Sequence, residues 1–251
     1  MPAYNILEIC VESLEAGIAA AKAGADRLEV NYALTLGGLT PSAALVEMLK
    51  KETNLPLIAM IRPQHGYFTY SDLEFMQMQM EAETLLKAGA DGIAFGFIDK
   101  FGKIDLERAN KLVSLAEGRE TVFHRAFDLL ENQVESMHQL AEIGITRILT
   151  SGGKSSAIEG RHVIKKLIEE AAGSIEILPA GGIRPYNAEK FLEYTGATQL
   201  HSSCQQKIED EFAKPSYISF IDNNITDQVK ICVDSDKISK LVSIKRKKVI
   251  D

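Results

Sequence analysis

One joint is used four times along this chain, and it constrains the fold more than any other feature. The segments are "AKAGADRLEV" (21–30), "LKAGADGIAF" (86–95), "AEIGITRILT" (141–150) and "EYTGATQLHS" (193–202). Each reads as a helix end, a glycine, a short link and an apolar run. Gly24, Gly89, Gly144 and Gly196 stand where a helix takes its left-handed cap, a conformation that costs glycine nothing. The joints recur at intervals of 65, 55 and 52 residues, so each interval holds one further strand and helix. The pattern predicts strands near 4–9, 26–31, 56–62, 91–96, 120–124, 146–150, 175–179 and 198–202. Helices are expected near 12–23, 41–52, 71–88, 105–117, 131–143, 156–171, 186–195 and 234–248, the last after an irregular stretch from 204. Eight alternating units without a break in composition point to one α/β domain over 1–251, a (β/α)8 TIM barrel with its core at about 4–203. An open doubly wound sheet shares the local pattern, but eight units and the paired repeat favour closure.

Strand parity then sorts the side chains. Alternate residues of a barrel strand face the axis or the helices. Leu7 and Ile9, Leu28 and Val30, Leu57 and Ile61, Phe123, and Leu200 suit the helix side. That turns Glu8, Arg27, Glu29, Asn31, Arg62, His124 and His201 inward. The expected result is a ring of Glu8, Glu29, Arg62, His124 and His201 near the strand C-terminal ends, where barrels of this class carry their sites. The opposite strand ends look mostly apolar apart from Arg27 and Glu176. Buried charge is costly unless it is paired or solvated, so the ring reads as a ligand site. The alternative is a structural ion-pair network closing the barrel top.

His124 is the candidate general acid or base, with Glu8 or Glu29 as its partner carboxylate. Arg62 and Arg125 are candidates for bidentate contacts to an anion. Asp128 would orient Arg125 or the His124 ring. Glycine turns follow strands six, seven and eight. Ser151, Gly152 and Gly153, then Gly181 and Gly182, then Ser202 beside His201, can form a backbone cup for an anionic group. Asn31 lies beside "GGLTPS" (37–42), where Thr40 is expected to cap a helix starting at Pro41. "RPQHGYFTYSDLE" (62–74) reads as an aromatic-rich loop ending in a Ser71–Glu74 capping box, a plausible lid. Lyase, isomerase and hydrolase chemistry all suit these groups.

The composition, 45% hydrophobic and 25% charged, is that of a globular protein. A net charge of −7 argues against a general nucleic-acid surface, and "KRKK" (245–248) reads as a solvated helix end, so a nuclease ranks last. No apolar run approaches a membrane span, and no signal-peptide pattern opens the chain. Three widely spaced cysteines, Cys10, Cys204 and Cys232, fit a reducing cytoplasm, and no zinc spacing is present. Glu8 and Glu29 can also hold a divalent cation together with waters.

The segments "LEICVESLEAGIAAAKAGADRLEV", "LGGLTPS", "MIRP", "ADGIAFGFID", "FHRAFD", "RILTSGG" and "ILPAGGI", in order over most of 4–204, resemble the copper homeostasis protein CutC family. The resemblance implies a (β/α)8 barrel, a cytoplasmic location, a homodimer or higher homo-oligomer and an association with copper. It also implies a polar, enzyme-like pocket at the barrel mouth, here expected to take a small anionic molecule. Copper binding proposed within the family involves cysteines at the ends of strands one and two. Cys10 stands at the first place. At the second, where the family reads "ELCS", this chain reads "EVNY", so Asn31 replaces a thiolate. Cu(I) favours soft sulfur ligands, and the substitution weakens a Cu(I) site at Cys10.

Overall fold

The computed structural model describes residues 4–209 and 229–246. The strands are β1 (Ile6–Val11), β2 (Arg27–Val30), β3 (Leu57–Met60), β4 (Gly92–Phe95), β5 (Glu120–Phe123), β6 (Arg147–Thr150), β7 (Glu176–Pro179) and β8 (Gln199–Ser202). Between them run α1 (Leu14–Lys22), α2 (Ala43–Thr53), α3 (Asp72–Lys87), α4 (Leu106–Leu115), α5 (Gln133–Glu142), α6 (Arg161–Ala171) and α7 (Pro185–Thr195). All eight strands are parallel, in the order β7-β6-β5-β4-β3-β2-β1-β8. β7 and β8 lie side by side at the seam, where Gln199 Nε2 donates to Glu176 Oε2 across 3.0 Å. The result is the expected TIM barrel, nearly closed.

The four joint glycines have φ of +72° to +105°, the left-handed region, as their place after helix ends requires. Ser71 and Glu74 form the expected capping box on α3. At α2 the expected cap is replaced. Ser42, not Thr40, accepts from the Leu45 amide. Thr40 instead donates to Glu81 and accepts the Arg62 amide, tying the β2 and β3 loops together.

Parity holds along the barrel. Leu7, Ile9, Leu28, Val30, Leu57, Ile61, Phe123 and Leu200 join the large apolar layer between strands and helices. Ile58, Met60, Ala94, Val122, Leu149, Leu178 and Ala180 form a second, smaller apolar layer inside the barrel. Both strand faces are therefore buried, the condition under which parallel sheets are stable.

The lower end of the barrel departs from the apolar expectation. Arg27 pairs with Glu8 and donates to Gln199 Oε1 across 2.9 Å. Gln199 continues to Glu176, which also accepts Arg147 Nε at 2.8 Å, and Arg147 reaches Glu120 at 2.8 Å. Arg27, Arg147, Glu8 and Gln199 are buried. Strand parity places Arg27 inward, but Gln199, Glu176 and Arg147 come from distant parts of the chain and carry no local signal of this layer.

After β8 the chain is more regular than expected. Gln205–Glu209 forms β9, antiparallel to β10 (Val229–Val233), before α8 (Ser235–Arg246). Lys245 of "KRKK" reaches Asp26 across 2.6 Å, while Lys247 and Lys248 lie outside the described residues. Among the described residues no helix is long and apolar enough to cross a membrane.

Candidate functional site

The mouth at the strand C-terminal ends holds a cavity of about 270 Å³. Its polar walls come from Cys10, Glu29, Asn31, Arg62, His124, Arg125 and His201. Met60 and Leu149, from the inner apolar layer, line it from below. Of the predicted ring, Glu29, Arg62, His124 and His201 therefore meet at one cavity. Glu8 does not line it. It sits one layer deeper, between Arg27 and the Nδ1 of His201, 2.7 Å away. Burial would raise the Glu8 carboxyl, but Arg27 and His201 overcome it and hold it below the usual carboxylate range.

His201 links the two layers. Its Nδ1 meets Glu8, and its Nε2 lies 4.0 Å from Glu29. Burial opposes its positive charge, yet Cys10, Glu29 and Glu8 together raise it well above an ordinary histidine. Burial, and the negative charge of Glu8, raise the Glu29 carboxyl. Cys10 Sγ, a Glu29 oxygen and a His201 nitrogen lie within 4.8 Å of one another, close enough to share a metal ion. Cys204 instead packs in the outer apolar layer.

His124 differs from a general base. Its Nδ1 accepts the amide of Ala126 at 3.2 Å, because the chain turns at once into a 3₁₀ turn, Arg125–Leu129. That bond places the ring proton on Nε2. Burial, and then Arg62, push the His124 pKa down to about 3. The ring is neutral at ordinary pH and presents an N–H donor. It is clamped between Phe68, 4.9 Å away, and Gly96, where a Cβ would stand 2.5 Å from Nδ1.

The arginines are largely engaged. Arg62 donates to the carbonyls of Leu36, Gly38 and Gly66, so it organises the β2 and β3 loops and brings its charge to the cavity. The expected bidentate contact to an anion would compete with those bonds. Arg125 Nε donates to Asp128 at 2.8 Å, and Nη2 to Ser151 Oγ at 2.7 Å. Asp128 thus orients Arg125, not the His124 ring.

The cup after β6 already holds a carboxylate. Asp128 Oδ1 accepts from Thr150 Oγ1 and from the amides of Ser151 and Gly153, at 2.5, 2.9 and 3.1 Å. Its Oδ2 accepts from Ser151 Oγ at 2.9 Å. Ser151 and Gly153 therefore spend those amides on the protein itself, and Gly152 donates to Thr150 Oγ1. The Gly181 carbonyl accepts the Ala157 amide, the Gly182 carbonyl accepts Asn187, and Ser202 donates to the Ile183 carbonyl. None of Ser151, Gly152, Gly153, Gly181, Gly182 or Ser202 lines the cavity, whereas Ser203 and Gln205 do.

Four buried polar atoms on cavity residues lack a hydrogen-bond partner: Glu29 Oε1, Asn31 Oδ1, Arg62 Nε and His124 Nε2. Asn31 Nδ2 donates to Glu29 Oε2 at 2.9 Å, which leaves Glu29 Oε1 and Asn31 Oδ1 unmatched. Such atoms are rare in buried positions and call for an explanation. Phe68 is the lining residue that sequence reasoning placed least well. Its position in an aromatic loop after β3 was the available signal.

The CutC family profile matches residues 5–206. A CutC family protein of Treponema denticola is 43% identical over 208 residues, covering 83% of this chain and 85% of the relative. The human copper homeostasis protein cutC homolog is 40% identical over 200 residues, 80% of this chain and 73% of the relative. A crystal structure bearing the name of copper homeostasis protein CutC, from Streptococcus agalactiae, superposes with a TM-score of 0.75 at 32% identity, covering 79% of this chain and 98% of the other. The chain belongs to the CutC family.

Proposed function

We propose that this protein binds a small anionic molecule in the barrel mouth and acts on it there. The observation that carries this is the set of four unpartnered buried polar atoms on one cavity, Glu29 Oε1, Asn31 Oδ1, Arg62 Nε and His124 Nε2. A bound molecule with its own donors and acceptors would satisfy them. Arg62 and Arg125 supply the positive field that favours an anion. The volume of about 270 Å³ lies just below the range of roughly 300–1,000 Å³ for ordinary ligand pockets, which favours a small metabolite. Saturation-transfer NMR with phosphorylated and carboxylated carbonyl compounds tests this. Binding of at least one probe is expected, about tenfold weaker in Arg125→Gln. Absence of saturable binding across the panel would overturn it.

A second reading is copper binding, favoured by the Cys10–Glu29–His201 cluster and by the names of the relatives. One thiolate beside an imidazole and a carboxylate is a poor Cu(I) site, because Cu(I) prefers paired soft ligands. Asn31→Cys supplies a second thiol at the same cavity. Anaerobic competition against a Cu(I) chelator is expected to show at least about tenfold tighter binding in the variant. Tight binding by the unaltered chain would favour this second reading over the first.

A further inference from the structure

We propose that the cavity is an enolising site. In it Glu29 removes a proton from the carbon beside a carbonyl, while His124 Nε2–H polarises that carbonyl oxygen. The inference rests on the reading of the mouth as a site for a small anionic molecule, and it names the substrate class: a carbonyl compound carrying a carboxylate or phosphate.

Two of the unpartnered atoms carry the argument. Glu29 Oε1 is an acceptor without a donor, and His124 Nε2 is a donor without an acceptor. Both side chains are more than nine-tenths buried and both line the same cavity. They sit on or just beyond β2 and β5, three strands apart in an eight-strand ring. They therefore reach the same cavity of about 270 Å³ from different strands of the ring. A carbon acid needs that complement: an acceptor for the proton that leaves and a donor for the oxygen that gains charge. A neutral imidazole is well suited to the second task, since its donor hydrogen bond does not depend on capturing a proton at neutral pH. No lysine lines the cavity, so among the lining residues the N–H of His124, not an imine, is what activates a carbonyl.

The contacts that hold the two side chains fit the roles. Glu29 is held by Asn31 through Oε2, which leaves Oε1 for the substrate. His124 is held by the Ala126 amide through Nδ1, which leaves Nε2 for the substrate. Arg62 and Arg125 stand at the cavity as counter-charges for the anionic group.

The step balances without a co-reactant. The Glu29 carboxylate takes the α-proton. The C–H electron pair becomes the new C=C bond, and the carbonyl π pair moves onto oxygen, where His124 donates its hydrogen bond. Return of a proton from Glu29 to carbon regenerates the carbonyl; where the Glu29 carboxyl has first exchanged its proton with D2O, the carbon receives deuterium.

The test follows the α-C–H signals of pyruvate, dihydroxyacetone phosphate and glyceraldehyde 3-phosphate by proton NMR in D2O, with a chelator present. Binding of the same probes is measured separately. Exchange at least about 100-fold above buffer is expected with one of them. Glu29→Gln, an isosteric change, should abolish exchange while the probe still binds. His124→Gln should slow exchange by about 10²-fold or more, the scale for losing one oxyanion donor. A probe that binds without exchanging would overturn the enolising role and leave the anion site standing. Exchange unaffected by Glu29→Gln would also overturn it. Absence of binding by all three would overturn both readings.

Discussion

His124 and His201 line one cavity, yet their environments push them in opposite directions. His124 stays neutral in the fold down to about pH 3. In the unfolded chain a histidine takes up its proton below about pH 6.5. Folding therefore loses stability as pH falls below about 6.5, by up to about 1.4 kcal/mol per pH unit. His201 keeps its proton in the fold well above the ordinary value, so it costs stability as pH rises beyond about 6.5. Together the two place their joint optimum near that pH. Denaturant unfolding across pH 4–9 checks this, and His124→Gln should flatten the acid limb while leaving the alkaline limb in place.

At the scale of elements, the loop after β6 takes its shape from Asp128. That carboxylate accepts from Thr150, Ser151, Gly153 and Arg125 at once. Asp128→Ala would leave several of these donors without a partner in a tight turn. A loss of about 3 kcal/mol is expected from equilibrium unfolding, with Arg125 released from its position. The element pattern itself was legible in the sequence, because helix-side aliphatics and joint glycines repeat locally. The same parity brought Glu29, Arg62, His124 and His201 to one mouth. What was not legible depended on bonds between distant parts of the chain. Asp128 fills the β6 cup from more than twenty residues away. The tautomer of His124 follows from a turn two residues on, and β9 finds β10 across a long interval with no short hairpin signal.

On the scale of the whole molecule, charge is layered. The lower end carries the Glu8–Arg27–Gln199–Glu176–Arg147 chain of contacts, the inside of the barrel is apolar on the β3–β7 side, and on the other side Glu8 and His201 continue the polar chain up to the candidate site at the mouth. Arg27→Met should cost about 3 kcal/mol, because it strips a fully buried carboxylate of its main partner. Glu176→Gln, at a half-exposed position, should cost under about 1 kcal/mol. Urea unfolding of both variants separates a structural lower layer from a functional one. Glu176→Gln should leave probe binding at the mouth unaltered, whereas Arg27→Met acts on it through Glu8 and His201.

The inner apolar layer of Ile58, Met60, Ala94, Val122, Leu149, Leu178 and Ala180 also bears on turnover, because its Met60 and Leu149 line the cavity beneath the polar groups. A product that keeps its anionic group would still meet Arg62 and Arg125 there, so it competes with arriving substrate for the same small space. Any turnover at this site should therefore show competitive product inhibition.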